Sequence, residues 1–439
     1  MFVLPKLSSI FAVALPEYFM IRSIRITQLA AYLQVLTFWL LTASLVFRIS
    51  PLQRIVMAVA GVSFVLDYAL NKRWQGWKWD NNKWFYIILI AYYLLIPIWH
   101  LADDVSTPRF DFVLQERAPF LLLGIIGLLG LSKEIRLKPI VYVMLGTCFA
   151  ASMYAILRGT GFSYFLLPLS QQTEAFQQVR IDYVASHMQF NLYLNVTLVF
   201  VFWLVSKNKL KRGEKAAVAL LSVWIFYLLC ITEGRVGLGT GLLLVALFVA
   251  IVSFRYGWKV FLPVVTAYAC MAALILMNNN RLTSDKLEHE PRWLIWEADL
   301  RIITEKPISG HGVCDAKEAL IREAKENKEL SEFYTRRVTQ IYNGNYQKVQ
   351  PHNAFFEAWM EFGLTGLAML ILIFLYPLQM FPRKNRPYSG LIVLCFVLQS
   401  CFDSFFAPLL YCLSILLLTS RSAISEGSES QKPAQSQHA

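Results

Sequence analysis

Histidine, arginine, asparagine and glutamate gather in one stretch of this chain, from Glu290 to Gly366. Its two informative segments are EPRWLIWEADLRIITEKPISGHGV and VQPHNAFFEAWMEFGLTGL, separated by a charged interval. Histidine suits the removal of a proton from an attacking hydroxyl because its pKa lies near neutral. Arginine suits an anionic leaving group because guanidinium stays charged and binds phosphate oxygens with paired hydrogen bonds. The stretch therefore predicts a site where a phosphate-bearing substrate reacts with a hydroxyl.

His352 is the main candidate for a general base. It lies between Pro351 and Asn353, directly before an apolar run. We expect Asn353 to cap a helix that begins there, which would fix the direction of the histidine, with Glu357 four residues further along. The alternative is a partly exposed interfacial histidine that bonds a backbone carbonyl.

The glutamates and the second histidine of the stretch have supporting roles or structural alternatives. Glu357 and Glu361 lie four residues apart on one helix face. They either orient His352 or contact an acceptor, or they are satisfied polar groups. His311 is flanked by two glycines and is expected to mark a tight turn.

Three arginines are candidates for binding an anionic leaving group: Arg292, Arg235 and Arg180. Arg292 is in the first turn of a predicted loop helix, Arg235 follows a glycine in the turn TEGR, and Arg180 precedes a predicted span. Each has an alternative. Arg292 could pair with Glu288 or Asp299 on the loop surface. The other two could simply reach lipid headgroups at a membrane boundary.

The composition indicates a polytopic membrane protein. The chain has 439 residues, of which 56% are hydrophobic and only 16% charged, against roughly 25% charged in soluble domains. The net charge of +12 does not indicate nucleic-acid binding, because Lys and Arg cluster in short loops between apolar runs. The seven cysteines show no metal-ligand spacing, and the acidic pair Asp103 and Asp104 is expected to lie in a solvated loop. We therefore expect no metal or cofactor.

The predicted fold is all-α, with about twelve transmembrane helices and one large extracytoplasmic helical loop. Residues 1–28 form an N-terminal interfacial segment, 29–277 contain nine spans, 278–354 the large loop, 355–419 three spans and 420–439 a disordered tail. The predicted spans are 29–47, 55–70, 84–100, 119–131, 140–157, 187–205, 216–232, 236–254, 260–277, 355–380, 389–403 and 405–419. Within the loop, a second helix from residue 317 is strongly charged and is expected to face solvent.

The distribution of basic residues predicts the orientation. Five loops rich in Lys and Arg fall on one side of the twelve-span arrangement. Positive loops remain in the cytoplasm, so both termini are expected there and the large loop outside. ATP is not available at that face, so a transfer reaction would use an activated substrate such as a lipid-linked pyrophosphate.

The same residues resemble a known family. An arginine at the start of a loop helix, a Pro-x-x-Gly-x-Gly turn, and His-Asn followed by Glu and Gly-Leu-x-Gly-Leu are similar to the signature region of the O-antigen ligase and polymerase superfamily of bacterial membrane glycosyltransferases. The span count and the large loop before the tenth span extend the similarity over most of the chain.

The resemblance implies a substrate class and site roles. Ligases of this family move a polysaccharide from undecaprenyl pyrophosphate to a sugar hydroxyl of lipid A–core, at the periplasmic face of the inner membrane. They are inverting and metal-independent. By motif, His352 would act on the acceptor and Arg292 and Arg235 on the pyrophosphate, whereas Arg180 matches only by its location. The charged segment 315–348 has no counterpart in the motif.

Other functions remain open at this point. An O-antigen polymerase would use the same donor with a second lipid-linked glycan as acceptor, and a protein O-glycosylating ligase would use a protein. From a different class, a polysaccharide flippase or transporter would also line its core with arginines. A transporter is expected to have repeated halves and helices interrupted at mid-membrane, whereas the polar signals here gather at one face.

Overall fold

The computed structural model describes residues 26–47, 50–101, 103, 109–208, 210–232, 234–277, 292–327, 350–381, 385–403 and 407–419. Regular structure in these ranges is helical, apart from one isolated antiparallel bridge between Phe47 and Val184. The prediction of an all-α polytopic membrane protein is confirmed.

Ten helices in the described ranges are long and apolar enough to cross a membrane: α1 (Ile26–Ser44), α2 (Ser50–Leu70), α3 (Lys83–His100), α4 (Arg109–Leu129), α5 (Leu137–Gly159), α7 (His187–Lys207), α8 (Arg212–Ile231), α9 (Arg235–Phe254), α10 (Trp258–Met277) and α13 (Ala354–Leu375). The other helices are shorter or more polar: α6 (Leu169–Tyr183), α11 (Arg292–Glu305), α12 (Asp315–Glu326), α14 (Pro377–Met380), α15 (Arg386–Phe402) and α16 (Pro408–Thr419).

Each predicted span corresponds to one of these helices, and the last two predicted spans correspond to the shorter apolar helices α15 and α16. The fourth span differs most, because α4 begins ten residues before the predicted start at 119. Its first turns place charged side chains against other helices, so they do not mark a loop. Helix α6, in the segment between α5 and α7, was not predicted.

Helix α7 lies at the centre of the bundle. Its residues from Phe190 to Leu204 are buried without interruption, and it packs against α5, α8, α9 and α15. A helix that is buried on all sides is surrounded by other helices, so α7 forms the core of the bundle. The start of α7 is fixed by Ser186, whose hydroxyl accepts a hydrogen bond from the Gln189 N–H.

The segments that follow α2, α4 and α13 lie together at one end of the bundle. Arg73, after α2, donates hydrogen bonds to the Leu131 carbonyl (3.0 Å) and the Ser132 hydroxyl (2.7 Å), both after α4. The Tyr376 hydroxyl, at the end of α13, donates to the Asn81 carbonyl (2.7 Å), just before α3. Because helices alternate in direction, the start of α13 is at the opposite end, and the large loop joins the bundle there.

Helices α11 and α12 form a small second core on that opposite end. Helix α12 was expected to face solvent, and this is wrong for its apolar face, which packs against α11 and α13. The shared core consists of Ile295, Ala298, Ile302, Ile303, Ala316, Ala319, Leu320, Ile321, Ala324 and Met360. The loop is therefore anchored on the first turns of α13, where the candidate residues lie.

Candidate functional site

His352 stands directly before α13 in an uncommon backbone conformation. Its φ is +52°, in the left-handed region that residues other than glycine rarely adopt. The predicted cap by Asn353 is confirmed, because its side-chain oxygen accepts hydrogen bonds from the Phe355 N–H (2.9 Å) and the Phe356 N–H (3.2 Å). The Asn353 amide also donates to the Cys401 carbonyl (3.3 Å), which ties this corner to the end of α15. Strained backbone held by a cap and a neighbouring helix is typical of functional sites.

The His352 side chain is surrounded by positive charge. Burial, together with the smaller effect of the cations of Arg292 and Lys317, lowers its pKa to about 4. Its Nδ1 is buried and receives no hydrogen bond from the part of the chain that the structure describes. The Trp296 indole approaches the His352 carbonyl at 3.4 Å and holds α11 against this corner. At neutral pH the imidazole is therefore neutral, with a nitrogen available to accept a proton.

Arg292 and Lys317 come from two different loop helices. Arg292 is the first residue of α11, and Lys317 is in the first turn of α12 and only 7% exposed. Lys317 was not singled out from the sequence, where it is one cation in a charged segment. The suggested pairing of Arg292 with Asp299 is wrong, because neither Asp299 carboxyl oxygen has a hydrogen-bond partner among the described residues. Glu288 lies outside those residues.

The Pro-x-x-Gly-x-Gly segment docks into a break in α13. Gly363 has φ +63° and ψ −154°, which interrupts the helix. The freed carbonyls of Met360 and Glu361 accept hydrogen bonds from the His311 N–H (2.7 Å) and the Gly312 N–H (3.0 Å), and the Leu364 N–H donates to the Ile308 carbonyl (3.2 Å). These contacts satisfy backbone groups that the break would otherwise leave unpaired.

His311 has a structural environment. Both of its glycine neighbours have positive φ, so the predicted tight turn is confirmed. The imidazole is buried, and its Nε2 lies 2.9 Å from the Ile302 carbonyl on α11. A Cβ on Gly363 would lie 2.0 Å from the Ile308 carbonyl oxygen, so only glycine allows this approach.

Glu357 and Glu361 lie beside an arginine that sequence analysis missed. Arg117, in α4, places Nη1 2.6 Å from Glu361 Oε2 and Nη2 3.8 Å from Glu357 Oε1. The Arg117 side chain is 13% exposed and that of Glu361 only 2%. The available signal was the sequence QERAP, which places two charges immediately before an apolar run.

Asp299 adds a second buried carboxyl near Glu357. It lies on α11 and is fully buried. Burial raises the pKa of this carboxyl well above its usual range, and the negative charge of Glu357 raises it in the same direction. Asp299 therefore keeps its proton to a higher pH than an ordinary aspartate does.

The other two predicted arginines lie on different helices. Arg235 is the first residue of α9, after Gly234 with φ +113°. Gly234 and Gly237 pack against Asn191 of α7, where a Cβ would approach its side chain within 2.8 Å and 2.4 Å. Arg180 is in the last turn of α6, and its side chain is outside the description. The structure thus groups His352, Arg292 and Lys317, and puts Arg235 on the first turn of a bundle helix.

Asp103 was expected to lie in a solvated loop, and this is wrong. Its side chain is fully buried, with Oδ2 2.8 Å from His100 Nδ1 and 3.2 Å from the Cys314 N–H that donates to it. The histidine three residues earlier was the signal that sequence analysis passed over. Asp104 lies outside the described residues.

Comparison with known proteins identifies the region that contains these residues. Residues 191–371 match the model of the family described as O-Antigen ligase. No curated protein matches the chain. The matched region includes His352, Arg292, Arg235 and Lys317 and excludes Arg117 and Arg180. Over residues 191–371 this polytopic membrane protein is similar to the O-antigen ligase family, whose members are membrane glycosyltransferases that use lipid-linked donors.

Proposed function

We propose that the protein is an O-antigen ligase, moving a glycan from undecaprenyl pyrophosphate to a sugar hydroxyl of lipid A–core. The observation that supports this best is the His352 corner, where a partly buried neutral imidazole, whose Nδ1 is buried and available, lies near Arg292 and Lys317. A proton acceptor and a pair of cations are the two groups that such a transfer requires. The family includes ligases, polymerases and O-oligosaccharyltransferases. The choice of lipid A–core as the acceptor is therefore more specific than the family itself.

In the proposed reaction the acceptor hydroxyl oxygen attacks the anomeric carbon of the donor sugar. Its proton passes to His352, the bond from the anomeric carbon to the phosphate oxygen breaks, and undecaprenyl pyrophosphate leaves with the electron pair. Attack from the side opposite the leaving group inverts the anomeric configuration. Arg292 and Lys317 stabilise the negative charge that grows on the pyrophosphate, so the residues present supply the charge that a metal ion supplies in other transferases.

Donor binding would also make His352 a better base. In the free protein, burial and the two cations hold its pKa at about 4, which is low for a base that works near neutral pH. A bound pyrophosphate adds negative charge beside the same cations and offsets their effect on the imidazole. The base would thus become effective only once the donor is in place.

Arg235 and Arg180 have proposed roles at the edge of this centre. Arg235 begins α9, where the helix N-terminus itself favours an anion. We assign it to the pyrophosphate together with Arg292. Arg180, at the end of α6, is assigned to the same leaving group only by its position before α7.

The proposed site faces the periplasm of the bacterial inner membrane, with both termini in the cytoplasm. The support is that the basic loops lie at the opposite end of the bundle from the start of α13. Labelling of single cysteines from outside the cell is expected to reach Ser331→Cys and not Lys209→Cys. The reverse pattern would overturn the orientation.

Reconstitution tests the function directly. The purified protein in lipid vesicles receives an undecaprenyl-pyrophosphate glycan with lipid A–core, with a second molecule of donor, or with an acceptor protein. Glycosylated lipid A–core is the expected product. A lengthened lipid-linked glycan would indicate a polymerase, a glycosylated protein an O-oligosaccharyltransferase, and movement of intact donor across the vesicle without any product a flippase. Each of these three results would contradict the ligase assignment.

A further inference from the structure

His100, Asp103 and Cys314 form a compact cluster that joins two distant parts of the chain. His100 is the last residue of α3, and Cys314 directly precedes α12. Nδ1 of His100 lies 2.8 Å from Asp103 Oδ2 and 4.0 Å from Cys314 Sγ. One ligand atom from each residue lies within 4.8 Å of the other two. The sequence separation of more than 200 residues means that this cluster exists only in the folded protein.

The two oxygens of the Asp103 carboxyl have different environments. Its side chain is fully buried. Oδ2 has two partners, but Oδ1 is buried without a hydrogen bond from any residue the structure describes. A buried carboxylate oxygen without a partner is costly, and a cation is one way to satisfy it. Gly312 packs so closely that a Cβ there would lie 1.8 Å from Oδ1, so the carboxyl is held in place from this side.

The donor atoms match one class of metal. An imidazole nitrogen, a thiolate and a carboxylate oxygen are all zinc ligands, and hard cations such as Mg²⁺ disfavour the thiolate. Bonds of about 2.0–2.3 Å in tetrahedral geometry place ligand atoms about 3.3–3.8 Å apart. The distances from His100 Nδ1 to Asp103 Oδ2 (2.8 Å) and to Cys314 Sγ (4.0 Å) fall on either side of that range. Small rotations of the side chains would bring the three atoms around one ion.

We infer that His100, Asp103 and Cys314 bind one Zn²⁺, which fastens the end of α3 to the start of α12. Cys314 binds as a thiolate and releases its proton to solvent, and His100 binds through deprotonated Nδ1. Three protein ligands leave a fourth position for water. Lys317 lies three residues after Cys314, so the ion would fix the helix that presents Lys317 to His352. This inference does not depend on the proposed transfer reaction.

Metal content is the first measurement. The purified full-length protein, stripped with a chelator, incubated with zinc sulfate and desalted, is expected to retain about one zinc per chain. Cobalt in place of zinc is expected to give the absorption band of a thiolate-to-cobalt transition. Cys314→Ser is expected to abolish that band and weaken zinc binding by at least about 100-fold, since losing a direct ligand costs more than losing a group that only orients one. Thermal stability is expected to rise with zinc in the wild type and not in the variant.

Matched variants make the test decisive. Cys270→Ser removes an exposed cysteine from α10 and is expected to behave as wild type in every measurement. If Cys314→Ser does not fold, Asp103→Asn keeps the side-chain volume and is expected to lose zinc while keeping the thiol. Three results would each overturn the site: a wild type that retains no zinc, Cys314→Ser or Asp103→Asn that retains as much zinc as the wild type, or Cys270→Ser that loses it.

Discussion

Two ionic clusters lie near the first turns of α13, and they differ in charge balance. At the helix start, Arg292 and Lys317 flank the neutral imidazole of His352. About two turns further on, Arg117 reaches across from α4 to Glu361 at 2.6 Å, with a second glutamate at 3.8 Å. The first cluster thus has cations around a neutral base. The second has one cation and two carboxylates.

This difference is the reason why we propose the first cluster as the substrate site. A buried cation paired with a carboxylate needs no further partner, and its main effect is to hold two helices in register. Cations grouped around a neutral base create a positive potential that an anionic ligand would neutralise. The first cluster is also where the backbone is strained, at His352 with φ +52°. We therefore expect substitutions in the two clusters to have different effects. Changes at the helix start should alter turnover or donor binding, and changes at Arg117 should alter stability.

The largest expected effect is on turnover, at His352. His352→Ala is expected to lower the single-turnover rate by about 10²–10⁴-fold, the usual contribution of a general base. Donor affinity is expected to change little, because a neutral imidazole contributes little attraction for a pyrophosphate. Both quantities are measured on folded protein with a lipid-linked donor and lipid A–core.

His352→Asn is the matched control for backbone strain. Asparagine tolerates the left-handed conformation better than alanine, so this variant keeps the corner and removes the base. It is expected to be as inactive as His352→Ala and at least as stable. A near-normal rate in either variant would remove His352 as the base and assign the catalytic effect to the arginines.

The next effect is on folding, at Arg117. Arg117→Met leaves Glu361 buried without its partner, which is expected to lower the free energy of unfolding by about 3–5 kcal/mol. Combining it with Glu361→Met is expected to recover most of that loss, because both charges are then absent. Thermal unfolding in detergent measures both variants. If Arg117→Met unfolds like wild type but binds donor poorly, the comparison is wrong and Arg117 belongs to the substrate site.

Arg117 also shows where sequence reasoning fails. The spans, the helix cap by Asn353 and the glycine turn beside His311 follow from local patterns, and the structure confirms them. The Arg117 partnership joins residues more than 240 positions apart, and no local pattern indicates which helices meet. The charges before Pro119 therefore seemed to be a loop, when they lie in the first turns of α4.

The break in α13 was not predicted from the sequence, for a different reason. EFGLTGL continues an apolar run, so hydrophobic periodicity predicts an unbroken span. The helix is interrupted at Gly363 because another backbone segment occupies the position of a side chain, with the Ile308 carbonyl oxygen 2.0 Å from where a Cβ would lie. The glycine motifs at both places can be recognised in the sequence, but the contact between them cannot. Lys317 was missed in the same way, since only the packing of α12 brings it to His352.

A smaller effect on both donor affinity and rate is expected at Arg292. Arg292→Lys keeps the charge but loses the planar two-bond contact with phosphate, so both are expected to fall by about 10–100-fold. Arg301→Lys is the matched control, because Arg301 lies on the same helix, is 51% exposed and pairs with Glu297 at 2.6 Å. It is expected to have no effect. Equal losses in the two variants would show that α11 only needs arginine for its own folding.

The smallest effect is the pH dependence of stability contributed by His352. Its pKa is about 4 in the folded protein and about 6.5 in an unfolded chain. The unfolded state therefore takes up a proton first as pH falls, so folding becomes less stable below about pH 6.5, and the full loss is reached below about pH 4. Between about pH 7 and pH 5 this amounts to about 1–2 kcal/mol. His352→Asn lacks the titration, so its unfolding free energy is expected to fall less than that of wild type over this interval.

Asp299 titrates in the opposite sense, because its raised pKa favours proton uptake by the folded state. It is present in both proteins and cancels in the difference. Parallel curves for the two proteins would mean that His352 is not held neutral by burial and the two cations, and the contrast between the clusters would lose its electrostatic basis.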